Sequence, residues 1–182
     1  IEKTRFVEKK SNQMITRVDD GEIEKCDTLN FLSPRQKKTI DKSDFVIISD
    51  YNKGYLDSNI IDEISKLAKL TIMDTKKKLS GSMIMDIDFV KLNETEYQNN
   101  KELVDLYPEK FIITLGSEGC MYNHVVYPSS NPKETIDVSG AGDTFTASFI
   151  LKYHETNDIP TSLKFANDMA SIVVSKRGVA TP

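Results

Sequence analysis

Residues 136–150, with the sequence IDVSGAGDTFTASFI, place Gly140 and Gly142 between Asp137 and Asp143 and then become apolar. The apolar part predicts a helix over residues 144–155. Glycine loses more backbone freedom on folding than any other residue, so two of them before a helix indicate that the bare backbone is needed. The first N–H groups of a helix have no partner within it, and the helix dipole adds roughly half a positive charge there. The pattern therefore predicts an anion site, best suited to a phosphate.

Asp143 has two interpretations at the start of this helix. As a helix cap, its carboxylate would bind backbone N–H groups and complement the helix dipole. As a general base, it would accept the proton of a hydroxyl that attacks phosphorus. The spacing by itself does not decide between them. The GxxxxGK[ST] spacing of a P-loop does not occur here.

Composition excludes several classes of function. The 182 residues are 38% hydrophobic and 29% charged, with 24 basic and 28 acidic side chains and a net charge of −4. A weakly acidic chain has no electrostatic basis for a nucleic-acid or membrane partner, and no apolar run approaches a membrane span. Cys26 and Cys120 are predicted to act as small apolar residues, and His124 and His154 are too isolated for a metal site. We expect a cytoplasmic protein.

Strand and helix patterns alternate along the chain, which predicts an α/β fold with a doubly wound, mostly parallel sheet flanked by helices. The predicted strands are residues 4–7, 14–18, 44–50, 70–74, 89–93 and 111–116, with a hairpin over 119–128 that turns near Asn123 and His124. Helices are predicted from Ser33-Pro34, around residues 60–68, and over 94–107, 144–155 and 161–176. No repeat or linker interrupts the pattern, so residues 1–182 are predicted to form one domain.

The carboxyl ends of the predicted strands carry most of the polar residues of interest. Ligands bind at this edge of doubly wound sheets, so we expect these side chains to converge on one crevice. The residues concerned are Asp50, Lys53, Asp74, Lys76, Asn93, Glu96, Thr114, Gly116 and 137–143.

Four segments, in order along the chain, resemble the ribokinase-like (PfkB) carbohydrate kinases. DVSGAGDTF resembles the family signature D-T-x-G-A-G-D, with Val138 in the threonine position. KLNETE resembles the N-x-x-E element, and TLGSEG resembles the nucleotide loop T-x-G-x-x-G. FANDMASIVVSKRGVATP is similar to the helix and loop that cover the adenine. The resemblance implies a ribokinase-like fold and an ATP-dependent kinase.

The resemblance also implies a role for each matching residue. Asp143 would be the catalytic base, and Gly140, Ala141 and Gly142 would form the anion hole for the transferred phosphoryl group. Nucleotide binding is implied for Asn93, Glu96, Thr114, Gly116, Gly119, Asn167 and Gly178. Glu96 would help to organise Mg²⁺ and its waters, so ATP and Mg²⁺ are the expected cofactors.

A monovalent cation is a further expected cofactor. Asp137 and Ser139 match positions that bind such a cation in some family members. Lys176 would place a positive charge nearby, which weakens this expectation.

Three further segments resemble bacterial D-glycero-β-D-manno-heptose-7-phosphate kinases: KTRFVEKKSNQMITRVD, SDYNKGYL and MDTKKK. Arg17, Lys53 and Lys76 could supply cations for a sugar phosphate or a nucleotide phosphate, and Asp19 could accept bonds from sugar hydroxyls. Arg17, Lys53 and Lys76 could instead be ordinary solvent-facing residues, and Asp19 could simply end a strand. The resemblance implies transfer of the γ-phosphate of ATP to the anomeric hydroxyl of a heptose 7-phosphate, a step toward ADP-heptose for lipopolysaccharide core.

Two alternatives remain open. The same fold could act on ribose, a fructose phosphate or a nucleoside, or it could be a nucleotide-binding module without catalysis. The family's N-terminal portion, with its Gly-Gly sugar-binding stretch, has no counterpart here, so we expect a truncated kinase domain. Such a piece would transfer phosphate poorly alone, and the intact protein is expected to be a homo-oligomer.

Overall fold

The computed structural model describes residues 2–9, 14–21, 27–129, 139–176 and 182. Its strands are β1 (Glu2–Val7), β2 (Met14–Asp20), β3 (Val46–Asp50), β4 (Thr71–Thr75), β5 (Phe89–Asn93), β6 (Phe111–Thr114), β7 (Cys120–Tyr122) and β8 (Val125–Tyr127). Its helices are α1 (Pro34–Lys42), α2 (Ser58–Leu67), α3 (Gly81–Ile84), α4 (Glu94–Asn99), α5 (Lys101–Leu106), α6 (Ala141–Thr156) and α7 (Ile159–Val174). Short 3₁₀ turns lie at Pro108–Lys110 and Gly116–Glu118.

Strands β3 to β8 form one sheet in sequential order, and β1 and β2 pair as a separate antiparallel hairpin. Strands β3, β4, β5 and β6 are mutually parallel, while β7 and β8 continue the sheet in antiparallel pairing. Short, continuously apolar strands of this kind are typical of a sheet that is covered on both faces. The predicted fold class, a mostly parallel α/β sheet flanked by helices, is confirmed.

Successive side chains along the parallel strands enter two different cores. Met73 and Val90 belong to the core that the sheet forms with helices α2, α3 and α5. Their neighbours Ile72 and Phe89 belong to the core on the opposite face, which α6 and α7 cover. There, the Phe89 ring meets the Phe149 ring edge-on, with centroids 5.0 Å apart. The sheet is therefore the middle layer of three, and α6 and α7 form the layer on one of its faces.

Helix boundaries differ from the sequence prediction where single residues bend the backbone. Helix α6 begins at Ala141 rather than at residue 144, because Gly140 adopts a left-handed conformation (φ +80°) that ends the preceding loop. The predicted helix over 94–107 divides into α4 and α5 at Asn100. The buried Asn100 side chain donates to the Glu96 carbonyl and accepts from the Leu79 N–H, both at 2.8 Å. A side chain used in this way competes with the helical ladder.

The β7–β8 hairpin confirms the predicted turn and the prediction for Cys120. Asn123 and His124 both have positive φ, +48° and +61°, as a tight two-residue hairpin turn requires. Cys120 is buried, and burial raises the pKa of its thiol to about 12, so it packs as a neutral apolar group. Within the described ranges, no three His, Cys, Asp or Glu side chains are grouped to hold a metal, and no helix is long and apolar enough to cross a membrane.

Gly119 is a position where only glycine fits, and this gives a test of the fold. Its φ is +98°, and an added Cβ would lie 2.3 Å from the Tyr127 carbonyl oxygen and 2.8 Å from the Ser129 nitrogen. We expect Gly119→Ala to lower the free energy of unfolding by at least about 2 kcal/mol, since both strain and a backbone clash oppose it. Urea unfolding followed by circular dichroism measures this.

The matched control is Gly81→Ala, where an added Cβ meets nothing within 4 Å. This glycine starts helix α3, and alanine there is expected to change stability by less than about 1 kcal/mol. Equal stability of the two variants would show that the 119–129 contact is not a constraint on the fold.

Candidate active site

A polar cleft lies at the carboxyl edge of the parallel strands. Its volume is about 180 Å³, and it is lined by Ser49, Asp50, Tyr51, Asp74, Lys76, Lys91, Asn93, Glu96, Gly142 and Asp143. These residues come from the ends of β3, β4 and β5, from the loops after β3 and β4, and from the first turns of α4 and α6. The structure thus brings together most of the polar residues that the sequence analysis assigned to one crevice.

Asp143 is the third residue of α6, and its side chain is exposed at the cleft. The N-cap is Gly140, and among the described residues no side chain caps this helix. The first helical hydrogen bond runs from the Thr144 N–H to the Gly140 carbonyl at 2.9 Å. A helix provides no partner for the N–H groups of its own first turn, so those of residues 141–143 have none within α6. Asp143 is not the N-cap residue, but as an acid in the first turn it complements the helix dipole, so the structure leaves both interpretations of Asp143 open.

Asn93 and Glu96 join the end of β5 to the start of α4. The Asn93 side chain accepts from the Glu96 N–H at 2.9 Å, and the Glu96 carboxylate accepts from the Asn93 N–H at 2.8 Å. This reciprocal pair is a capping box, which fixes the first turn of a helix. The N-x-x-E element therefore has a structural role of its own, and it holds both side chains on the wall of the cleft.

Lys91 forms the floor of the cleft together with Asp74. The two residues are register partners on β4 and β5, and the Lys91 ammonium donates to an Asp74 carboxylate oxygen at 2.8 Å. Only 6% of Lys91 is exposed. An added Cβ at Gly142 would lie 3.1 Å from the Lys91 Nζ, so the absence of a side chain at Gly142 leaves room for the ammonium.

Tyr51 also lines the cleft and is half-exposed. The negative charge of Asp143 raises the pKa of its hydroxyl, with smaller contributions from burial and from Asp74. The Lys76 ammonium lies over the Tyr51 ring, 5.0 Å from its centroid. The contact is a cation–π arrangement, which holds an exposed lysine at the rim of the cleft.

Asp50 and Lys77 tie together the two loops that form this rim. Lys77 donates to the buried Asp50 carboxylate at 2.9 Å and also to the Leu56 carbonyl. The same carboxylate accepts from the Thr75 hydroxyl at 3.1 Å and from the Asn52 N–H at 3.0 Å. This network fixes the loops after β3 and β4. It therefore positions Tyr51 and Lys76, which lie in these loops.

The predicted nucleotide-loop residues lie around the β6–β7 connection. Thr114 ends β6 and donates to the Leu92 carbonyl at 3.3 Å. Gly116 is exposed with φ +57°, and open space lies where a Cβ would be. Gly119 and the buried Asn167 instead make internal contacts, the latter donating to the Tyr127 carbonyl at 2.9 Å. Their assignment to the nucleotide stays a prediction.

The remaining predicted residues do not line this cleft. Lys53 is described but is not a lining residue, and Arg17 and Asp19 lie on β2 of the separate hairpin. Ser139 immediately precedes the N-cap of α6. Asp137 and Gly178 lie outside the described residues.

Four residues of the cleft and its rim escaped the sequence analysis: Ser49, Tyr51, Lys77 and Lys91. Lys91 carried a detectable signal, because a lysine in the middle of the apolar strand FVKLN must find a partner if the strand is buried. The other three carried none, because Ser49 and Tyr51 only flank Asp50 in the sequence, and Lys77 lies between two other lysines.

Known proteins resemble this chain over almost its whole length. The sequence profile described as pfkB family carbohydrate kinase matches residues 3–182. Bifunctional protein HldE of Helicobacter acinonychis (strain Sheeba) is 30% identical over 207 residues, which cover 98% of this chain and 43% of that protein. Ribokinase of Bacillus subtilis (strain 168) is 43% identical over 81 residues, covering 42% of this chain and 27% of that protein.

Solved structures share the fold. The structure of Arabidopsis thaliana ribokinase complexed with ribose and ATP matches with a TM-score of 0.74 at 19% identity, covering 97% of this chain and 64% of that chain. The chain spans less than half the length of the HldE protein that it matches.

The buried partner of Asp50 provides a test of how the rim is built. We expect Lys77→Met to lower the free energy of unfolding by about 3 kcal/mol, because it leaves a buried carboxylate without its ion-pair partner. The exposed neighbour Lys78 serves as the control, and Lys78→Met should change stability by no more than about 0.5 kcal/mol. Chemical denaturation of both variants measures the difference. A Lys77→Met protein as stable as the control would contradict the stabilising role of the Asp50–Lys77 ion pair.

Proposed function

Because this chain belongs to the pfkB family of carbohydrate kinases, we propose that its cleft is the phosphoryl-transfer site of an ATP-dependent kinase that acts on a sugar hydroxyl. One observation carries the proposal: Asp143 is exposed in the first turn of α6, directly after the left-handed Gly140, and lines the cleft that also contains Asn93 and Glu96. The attack of a hydroxyl on phosphorus needs two groups: an anion site for the phosphoryl oxygens, and a carboxylate beside it that accepts the hydroxyl proton.

The reaction assigns a distinct task to each part of the α6 turn. The first-turn N–H groups, from Ala141 onward, bind the oxygens of the γ-phosphate, and the helix dipole favours their negative charge. Asp143 accepts the proton of the sugar hydroxyl as its oxygen bonds to phosphorus. The bond from that phosphorus to the bridging oxygen of ATP breaks, and ADP leaves with the electron pair. Positioning and electrostatics supply most of the acceleration in such transfers.

Magnesium fits the donors present on the wall of the cleft. One Glu96 oxygen holds the Asn93 N–H, and the carboxylate retains capacity to accept from metal-bound water. Mg²⁺ usually keeps several waters and binds through one or two carboxylates plus substrate phosphates. Bound in this way, it would neutralise charge on the phosphates of ATP. A monovalent cation near Asp137 and Ser139 is the other proposed cofactor.

For the acceptor we favour a heptose 7-phosphate. The match to the HldE relative covers 98% of this chain, and Lys76 brings a cation to the rim of the cleft, where a sugar phosphate could bind. Arg17, Asp19 and Lys53 are the other proposed acceptor residues. The ribokinase relative supports ribose as the second candidate. A homo-oligomeric state and a cytoplasmic location complete the proposal.

Replacing the proposed base tests the reaction. In the intact protein, Asp143→Asn is expected to lower kcat by about 10²–10⁴-fold, since a positioned base contributes that much. ATP affinity, measured by calorimetry, should change little. Asp105→Asn, in the exposed i,i+4 pair of α5, is the matched control and should keep full activity. An Asp143→Asn enzyme with more than half the original kcat would overturn the assignment of the base.

A panel of acceptors tests the substrate class. We expect the highest kcat/KM of the intact protein with heptose 7-phosphate, compared with ribose, fructose 6-phosphate and adenosine. Lys76→Met should raise the KM for the sugar phosphate about tenfold, the effect of one charge-assisted hydrogen bond, and Lys78→Met should not. A higher kcat/KM for ribose would reject the heptose assignment and leave the kinase assignment standing.

A further inference from the structure

Lys91 is a buried cation whose position the fold maintains at some energetic cost. Lysine is almost never fully buried unless it is paired, and here 8% of the side chain is exposed. Its ion-pair partner among the described residues is Asp74, directly opposite on the neighbouring strand. Replacing such a buried pair by apolar side chains is often neutral or stabilising, so stability alone does not account for it.

The location of the ammonium is more informative than its burial. Both members of the pair line the cleft, and the Lys91 Nζ lies 3.1 Å from where a Gly142 Cβ would be. The charge therefore lies directly beneath the backbone turn that offers its N–H groups to an anion. An ammonium has three N–H donors, and the bond to Asp74 occupies one of them.

The geometry points to Lys91 as a catalytic residue that donates to the phosphoryl group during its transfer, with Asp74 as the positioning residue that aims it. This inference rests on the proposed kinase function and adds a group that neither the sequence motifs nor the comparisons assign. The side chain enters from the sheet, whereas the N–H groups enter from the helix, so the phosphoryl oxygens would be held from two sides.

The chemical task of Lys91 is electrostatic. As the hydroxyl oxygen bonds to phosphorus and the bond to the bridging oxygen of ATP breaks, the transferred group carries negative charge on three oxygens. The ammonium donates to one of these oxygens and keeps its own protons throughout, while the hydroxyl proton goes to Asp143. A donor fixed in advance in a site of low exposure is worth more than one in water.

Two variants separate this role from a structural one. Lys91→Met alone leaves the partly buried Asp74 without its ion-pair partner and risks misfolding, so the decisive variant is the double Lys91→Met, Asp74→Asn, which removes both charges. Asp74→Asn alone keeps the ammonium but loosens it. Lys110→Met is the matched control, because the Lys110 ammonium is also partly buried, donates to the Met85 and Ile87 carbonyls, and does not line the cleft.

The measurements use the intact protein with ATP and its best acceptor, together with binding of ADP and of ADP with aluminium fluoride. We expect the double variant to keep a melting temperature within a few degrees of the wild type and to lose about 100-fold or more in kcat, the effect of one lost oxyanion donor. Its affinity for ADP with aluminium fluoride should fall by a similar factor, and its affinity for ADP alone much less. The Asp74→Asn variant should lose less kcat than the double variant, and the Lys110→Met control should keep the wild-type kcat.

Three results would overturn the inference. A folded double variant with kcat within threefold of the wild type would make the pair structural. A loss in Asp74→Asn equal to that of the double variant would move the role to the carboxylate. A wild-type protein that binds no nucleotide and phosphorylates no acceptor would refute the kinase proposal itself, and the first two results leave that proposal intact.

Discussion

Parallel pairing of four strands is the constraint on which the site depends. Because β3, β4, β5 and β6 run in the same direction, the residues at their carboxyl ends meet at one edge of the sheet. The strand register determines which residues are paired across neighbouring strands: Asp50 with Thr75, Asp74 with Lys91, and Asn93 with Thr114. Slipping one of these strands by one residue would turn its polar residues to the other face, and the cleft would lose a wall.

Two lysine–aspartate pairs convert this edge into a defined cleft. Asp50 with Lys77 closes the loops above β3 and β4, and Asp74 with Lys91 forms the floor between β4 and β5. Burying a charge is expensive unless it is paired and hydrogen-bonded, so each partner has few alternative positions once the sheet has formed. The pairs therefore fix side-chain positions at a place where the backbone is about to leave the sheet for loops.

Glycine sets the approach of the backbone at the same edge. The left-handed conformation of Gly140 starts α6 so that its first turn faces the cleft, and the missing side chain of Gly142 leaves room for a lysine from the sheet. Gly119 serves a different purpose, because it lets the backbone of the β6–β7 connection pack against residues 127–129. The two glycine motifs therefore differ: the missing side chain of Gly142 accommodates a lysine side chain, and that of Gly119 accommodates backbone.

The sequence by itself determined the alternation of strands and helices, the order of the motifs, and the placement of Asn93, Glu96 and Asp143 at strand or helix ends. These features follow from local periodicity and from motifs that lie within a few residues of one another. Only the tertiary structure decided that Lys77 rather than Lys76 is the inward-facing lysine, that Lys91 meets Asp74, and that the Asn167 amide is used by the Tyr127 carbonyl. The physical reason is that each of these contacts joins residues far apart in the chain or selects among identical neighbours, and long-range register and packing determine both.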